Sequence, residues 1–312
     1  MRILVLGAGA VGGYFGARLL QAGRDVTFLV RPGRAKTLAD RGLRLQSRLR
    51  NIHLPDPPTL ARRRDEGPFD LVLLSCKAYD VDDAIDSIAP FVGAGTAILP
   101  LLNGMQHLDK LTARFGAQRV LGGFCVISST LGAEGDIVHL NELHSLVFGE
   151  LDGANSPRVA AVDTAFSQAG FDSRLSGEIR LEMWEKWVFI AAAAAVTCLM
   201  RASIGDIVAA GGAQMASNLL DECVGIAAAE GFAPRPAFLE RARTNLTTAG
   251  SPLTATMLRD LETGGRVEGE QVLGDLLRRA PRGARPFLLG AAHLHVKAYE
   301  ARRNRASLPS RA

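Results

Sequence analysis

Few of the usual markers of extracellular, metal-dependent or membrane proteins occur in this chain. Its 312 residues include four cysteines, Cys76, Cys125, Cys198 and Cys223. They are far apart and form no CxxC pair, which excludes a disulfide framework and a thiolate metal ribbon. They read instead as free buried thiols in a reducing compartment. The six histidines form no HExxH pattern. His293 and His295, in "HLH", have a spacing that suits an ordinary helix, so no metal site is expected. Positive charge is in slight excess, +4 with a pI near 9.1, and the arginines are scattered. That speaks against a nucleic-acid partner and suits an anionic ligand. The opening "MRILVLGAGA" is too short and too glycine-rich for a signal peptide. The alanine-rich apolar run after Lys186 is shorter than the ~20 residues needed to cross a bilayer. The expectation is a cytoplasmic protein with no membrane partner. No internal repeat is present, and the length suits roughly two domains.

The first half alternates short β-rich runs with helical patterns: "RILVLGAG", "AVGGYFGARLLQAG", "DVTFLV", then "FDLVLLSCK", "VDDAIDSIAPFV" and "TAILPLLNG". The strands are continuous apolar runs, the mark of parallel strands buried on both faces. Helices between them imply right-handed βαβ units and a doubly wound, Rossmann-type α/β domain. "VLGGFCVISSTLGAEGDIVHL" and "HSLVFGEL" read as strands that extend this sheet. Past about Ser173 strand-like runs end and long helical patterns follow, from "GGAQMASNLLDECVGIAAAEG" to "PFLLGAAHLHVKAYEARRNR". The expected division is residues 1–174, a dinucleotide-binding domain, and 175–312, an all-helical domain. The tail "RNRASLPSRA" is expected to fray.

"GAGAVG" comprises Gly7, Ala8, Gly9, Ala10, Val11 and Gly12. It follows an expected strand and opens an expected helix, the context that gives GxGxxG its meaning. Gly7 permits the tight turn, Gly9 lets the backbone approach a pyrophosphate, and Gly12 allows close helix–strand packing. Where an NAD enzyme would end the second strand with an acid on the ribose 2′-hydroxyl, this chain has Arg31, with Arg34 and Lys36 just beyond. Arg31 can fork onto a 2′-phosphate, so NADPH is the expected cofactor. The alternative is that Arg31, Arg34 and Lys36 are solvated loop charges. Lys77, in "LLSCKAYD", and Asn103, in "LPLLNGMQ", follow apolar strands at the carboxyl end of the sheet, where ligands of such sheets lie. Each also reads as an ordinary loop residue.

"EMWEKWVFIAAAAAVTCLM" places Lys186 at the start of a run with no other charge from Trp187 to Met200. A lysine at the edge of a dry helix can protonate an alkoxide formed by hydride transfer, because desolvation lowers its pKa. Glu182, one turn earlier, could pair with it and oppose that shift. On these residues alone the two readings balance.

The order "GAGAVG", Arg31, "LLSCKA", "LLNGM", "EMWEKW" and "TMLRDLETGGRVEGEQVLGDLLRRA" resembles the ketopantoate reductases (2-dehydropantoate 2-reductases) over nearly the whole chain. That resemblance implies NADPH-dependent reduction of ketopantoate to pantoate, a step toward pantothenate. It makes Lys186 the general acid. Glu268 becomes the acid that meets the substrate hydroxyl and the cofactor side. Asn103 lies by nicotinamide and substrate, and Lys77 is associated with the cofactor. Thr256 stands where the family often has a substrate-binding serine, and Asp260 supports that helix. The partner implied is a small 2-oxo acid. No motif speaks to oligomeric state, and a homodimer is left open.

The chain departs from the family pattern where asparagines are usual. Four and eight residues after the lysine stand Ile190 and Ala194, and a third asparagine position, before Gly205, is Ile204. Positions 186, 190 and 194 share one helix face, so the lysine's stripe is apolar. A paralogue acting on a bulkier or more apolar 2-oxo acid fits this as well. Two rivals remain: a 3-hydroxyacid dehydrogenase, against which Arg31, "LLNGM" and the "TMLRD…VEGE" segment argue, and a non-enzymatic NADP(H)-binding sensor, which would need neither Lys186 nor Glu268.

Overall fold

The computed structural model describes residues 1–60 and 67–306. The chain divides into two compact units: Met1–Leu102 with His107–Arg180, and Asn103–Gln106 with Leu181–Ala312.

In the first unit β1 (Arg2–Leu6) leads through α1 (Ala10–Gln21) to β2 (Asp25–Leu29), and α2 (Pro32–Arg41) follows. Then come β3 (Leu43–Ser47), β4 (Ile52–Leu54), β5 (Thr59–Leu60), β6 (Leu71–Leu74), α3 (Val81–Ile88), β7 (Ala97–Pro100) and α4 (Gln106–Phe115). The unit ends with β8 (Leu121–Leu131), β9 (Ile137–Glu150), α5 (Pro157–Phe166) and β10 (Asp172–Leu175). The core sheet has the order β5-β2-β1-β6-β7 and is parallel throughout, with Ile3 opposite Val26 on one side and Leu71 on the other. Ile3, Leu4 and Val5 are fully buried, so both faces of β1 are covered, as its unbroken apolar run requires.

The strands after Val120 do not extend that sheet. β8 and β9 form a long antiparallel hairpin, and β9 joins a second sheet of order β10-β9-β3-β4. Helix α1 fills the space between the two sheets. A Cβ at Gly16 would lie 2.5 Å from the Phe28 ring of the first sheet, and one at Gly13 would lie 2.4 Å from Ile137 of the second. The expected division at residue 174 also moves, because β10 pairs in parallel with Ser145–Phe148 of β9 and keeps its segment in the first unit up to Arg180. "DSRL" holds a single apolar residue, so no apolar run announces that strand.

The second unit is helical among the described residues: α6 (Ile179–Met200), α7 (Ile204–Ala209), α8 (Ala213–Ala229), α9 (Pro236–Thr247) and α10 (Thr256–Glu262), then a π-helical turn (Glu270–Gly274) running into α11 (Asp275–Arg278), and α12 (Phe287–Ala306). The last of these carries Arg303–Ala306 in helix, where fraying was expected; residues 307–312 lie outside the described ones. α6 is longer than its uncharged run, 22 residues, and is apolar enough to cross a membrane by length and composition, yet 72% of its most apolar window is buried inside the protein. It is a core helix, whose Trp184 stacks on Phe232 at 5.6 Å. The buried Glu185 carboxylate receives Arg235 Nε and the Arg235 backbone N–H, both at 2.9 Å, which fixes the start of α9.

Candidate active site

The glycine turn has the form expected of a pyrophosphate cradle. Gly7 has φ +88°, and a Cβ there would lie 2.8 Å from the Ser75 carbonyl oxygen; one at Gly12 would lie 2.4 Å from the Gly7 carbonyl oxygen. Both positions are closed to larger residues by the turn itself and by the loop leaving β6. Gly9 differs, because a Cβ there would meet nothing within 4 Å. Its lack of a side chain is not a packing need, and it leaves room for a ligand against the backbone. Gly9 also caps α1 without a side-chain acceptor, so the first-turn N–H groups and the positive helix end suit an anion. Residues Ala8, Ala10 and Val11 complete this turn, and the residues present fit a dinucleotide pyrophosphate. The loop that closes on Gly7 and Gly12 at Ser75 runs on through Cys76 to Lys77. Lys77 is half-buried, and its carbonyl accepts the Asp80 N–H at 2.9 Å.

Arg31 ends up directly after β2 and Val30, as the N-cap residue of α2. Its guanidinium donates to Asp83 Oδ2 at 3.2 Å and lies 3.3 Å from Asp80 Oδ2. The Asp83 hydrogen bond, with the charge of Asp80, holds the guanidinium above its ordinary pKa. The side chain remains 62% exposed, so it can still reach a ligand. Arg34 is a half-buried residue of α2, which sets aside the loop-charge alternative for it, and donates from Nε to the Ala8 carbonyl at 2.9 Å.

The other cluster lies within the second unit. Lys186 Nζ donates to Asn103 Oδ1 at 3.1 Å. Asn103 begins an Asn-Gly turn in which Gly104 has φ +79°, and a Cβ at Gly104 would lie 2.8 Å from the Gln271 carbonyl oxygen. The next residue of α6, Trp187, donates from Nε1 to the Val272 carbonyl at 3.0 Å. Gln271 and Val272 belong to the π turn, and Glu268 lies just before it, its carbonyl accepting the Val272 N–H at 3.0 Å. A π turn leaves backbone carbonyls aimed away from the regular ladder, and such turns recur at functional sites. Here those carbonyls receive Trp187 and abut Gly104. Lys186, Asn103 and the Glu268 segment are therefore assembled on one scaffold. Trp187 and Gly104 were not singled out from sequence; the signal available was the glycine after Asn103.

Thr256 is exposed at the first turn of α10, and its hydroxyl accepts from Arg259 Nη2 at 3.4 Å. The Asp260 carbonyl accepts the Gly265 N–H at 2.7 Å, which closes the end of the same helix. On the lysine's face, Ile190 is half-buried and Ala194 is buried. Ile204 is fully buried at the start of α7, behind a capping box of Ser203 and Asp206. Only Ile190 of the three departures is open enough to meet a ligand directly. Of the cysteines, Cys198 has its thiol pushed up to about 12 by burial, and Cys223 is raised further by the same cause.

Comparison with known proteins matches both units. Residues 3–153 fit the family model described as "Ketopantoate reductase PanE/ApbA", and residues 178–286 fit its C-terminal counterpart. The "Uncharacterized oxidoreductase YkpB" of Bacillus subtilis (strain 168) is 37% identical over 303 residues, covering 96% of this chain and 99% of its own. The 2-dehydropantoate 2-reductase of Archaeoglobus fulgidus is 29% identical over 279 residues, covering 89% of this chain and 90% of its own. Among solved structures, 2-dehydropantoate 2-reductase from Geobacter metallireducens GS-15 superposes with a TM-score of 0.86 at 27% identity, covering 96% of this chain and 99% of that one.

Proposed function

The chain belongs to the ketopantoate reductase family of oxidoreductases, and from that premise we propose that it reduces a 2-oxo acid to the 2-hydroxy acid with NADPH. Ketopantoate is the first-choice substrate, which places the enzyme in pantothenate biosynthesis. The observation that carries the reading is the Lys186–Asn103 hydrogen bond of 3.1 Å. It holds one proton of the ammonium on an amide oxygen, which fixes the position of Nζ for proton transfer.

Bound NADPH supplies the hydride. The chain's own residues do the rest. The Gly7–Gly12 turn and the start of α1 hold the pyrophosphate, and Arg31 turns from its carboxylates to the 2′-phosphate. Lys186 gives a proton to the oxygen that was the keto group, so no free alkoxide has to form. Asn103 keeps the Nζ in place while the proton leaves. Glu268 accepts from a substrate hydroxyl, with Lys77 beside the cofactor turn and Thr256 on the substrate side.

A second reading is favoured by Ile190. An isoleucine offers a substrate hydroxyl no partner, and a site that cannot hydrogen-bond a hydroxyl discriminates poorly for it. A more apolar 2-oxo acid suits that wall better. Following NADPH absorbance with ketopantoate beside a panel of other 2-oxo acids tests both readings. Selective turnover of ketopantoate supports the first, and preference for an apolar 2-oxo acid supports the second. No oxidation with any 2-oxo acid refutes the reductase assignment.

A further inference from the structure

Arg34 sits behind the glycine turn and ties it to a distant hairpin. Its Nε donates to the Ala8 carbonyl at 2.9 Å, inside "GAGAVG", and its Nη1 donates to the Gly135 carbonyl at 2.8 Å, in the tip between β8 and β9. The tip is shaped for this contact. Gly135 has φ +83°, and a Cβ there would lie 2.5 Å from Arg34 Nη1 and 3.1 Å from Thr37 Cγ2. The tip is pinned on either side of Gly135. Glu134 pairs with Arg41 at the other end of α2, and Asp136 Oδ2 accepts from Gln46 of β3 at 3.2 Å. The third nitrogen of the guanidinium, Nη2, is buried without a hydrogen-bond partner. A buried donor kept at that cost calls for a role besides packing.

We propose that Arg34 is a positioning residue for the dinucleotide: held by its bond to Gly135, it fixes the Ala8 carbonyl of the glycine turn, and with it the N–H groups that face the pyrophosphate, so that the β8–β9 tip sets cofactor affinity from outside the site. The inference rests on the dinucleotide-binding part of the proposed function. It differs from the role of Arg31 in its selectivity. The pyrophosphate is common to NADPH and NADH, so a disturbed turn weakens both alike, whereas Arg31 acts on the 2′-phosphate alone.

Two variants test this in the full chain. Arg34→Lys keeps the charge but cannot bond two carbonyls in a fixed fork. Gly135→Ala leaves Arg34 intact but places a methyl group against its Nη1. Binding of NADPH and of NADH is measured by calorimetry, with thermal melting and steady-state kinetics alongside. Both variants are expected to weaken both dinucleotides by about tenfold, the scale of one charge-assisted hydrogen bond lost. The KM for the dinucleotide rises while kcat at saturating dinucleotide holds. A lowered Tm with unchanged affinity for the folded protein overturns the proposal, since that is what a purely structural arginine gives. Weakening confined to NADPH overturns it too. Wild-type protein that binds neither dinucleotide refutes the proposed function itself, and is told apart from the other outcomes by that control.

Discussion

Lys186 Nζ and the Oδ1 of Asn103 stand 3.1 Å apart, brought together by a turn that needs the glycine at 104. The amide oxygen orients the ammonium without neutralising it. Asn103→Ala is expected to lower kcat/KM by about 10- to 100-fold, the worth of a hydrogen bond to a charged group. Asn103→Asp puts a carboxylate beside the ammonium and so raises its pKa. Its kcat/KM profile is expected to keep activity to higher pH, at a lower maximum. Superimposable profiles for the aspartate variant and the wild type would show that residue 103 does not touch the acid.

Arg31 is shared between Asp80 and Asp83 before any cofactor arrives. Exposed pairs of this kind contribute only about 0–1 kcal/mol, so a 2′-phosphate that takes two guanidinium bonds can displace them. Arg31→Ala is expected to weaken NADPH by at least about tenfold while NADH changes little. Asp83→Asn is expected to tighten NADPH by up to about fivefold. Paired dissociation constants for the two dinucleotides decide it, and equal weakening of both in Arg31→Ala would remove the 2′-phosphate role.

Ile190 is half-buried on the face of Lys186, whereas Ala194 is packed. An amide at 190 therefore has room, and one at 194 would overpack the core at a cost of about 1–3 kcal/mol. Ile190→Asn is expected to raise kcat/KM for ketopantoate relative to an apolar 2-oxo acid by about tenfold. The ratio of the two kcat/KM values is the readout, and an unchanged ratio would mean that position 190 does not meet substrate.

Glu150, at the end of β9, is 6% exposed. It accepts from Arg158 Nε at 2.7 Å and also from Ser156 and Arg158 Nη2. Burial pushes its carboxyl up, but the hydrogen bonds from Arg158 and Ser156 and the arginine's charge outweigh this, so the pKa is held below its ordinary value. A carboxyl depressed in the folded state adds stability above its unfolded pKa, and loses it as pH falls through the folded one. Glu150→Gln is expected to cost about 1–3 kcal/mol at neutral pH. The difference from wild type should shrink below about pH 4. A difference in Tm that stays constant from pH 7 to pH 3 would contradict the ionic role.

The parallel sheet and the glycine turn were legible because their demands are local. A strand buried on both faces must be apolar along its length, and the turn after β1 admits no Cβ at residues 7 and 12. The second sheet was not legible. β3 and β4 are short, β10 carries one leucine, and only pairing makes them strands: β3 and β10 with β9, and β4 with β3. Lys186 was visible as a charge at the edge of an apolar run. Glu268 was not, except by resemblance, because it looks like any acid on a helical segment; its place before a π turn is set by tertiary contacts with Trp187 and Gly104. The tie from Arg34 to Ala8 was not legible, because nothing in "RPGRAK" reports that α2 lies against the glycine turn.

The most direct test is the turnover of Lys186→Ala, measured with the dissociation constant for NADPH on the same preparation. The account predicts kcat lower by ~10²–10⁴-fold, the usual scale for a lost general acid, with NADPH affinity retained. Turnover near that of the wild type would contradict it, and would take the proton transfer away from Lys186.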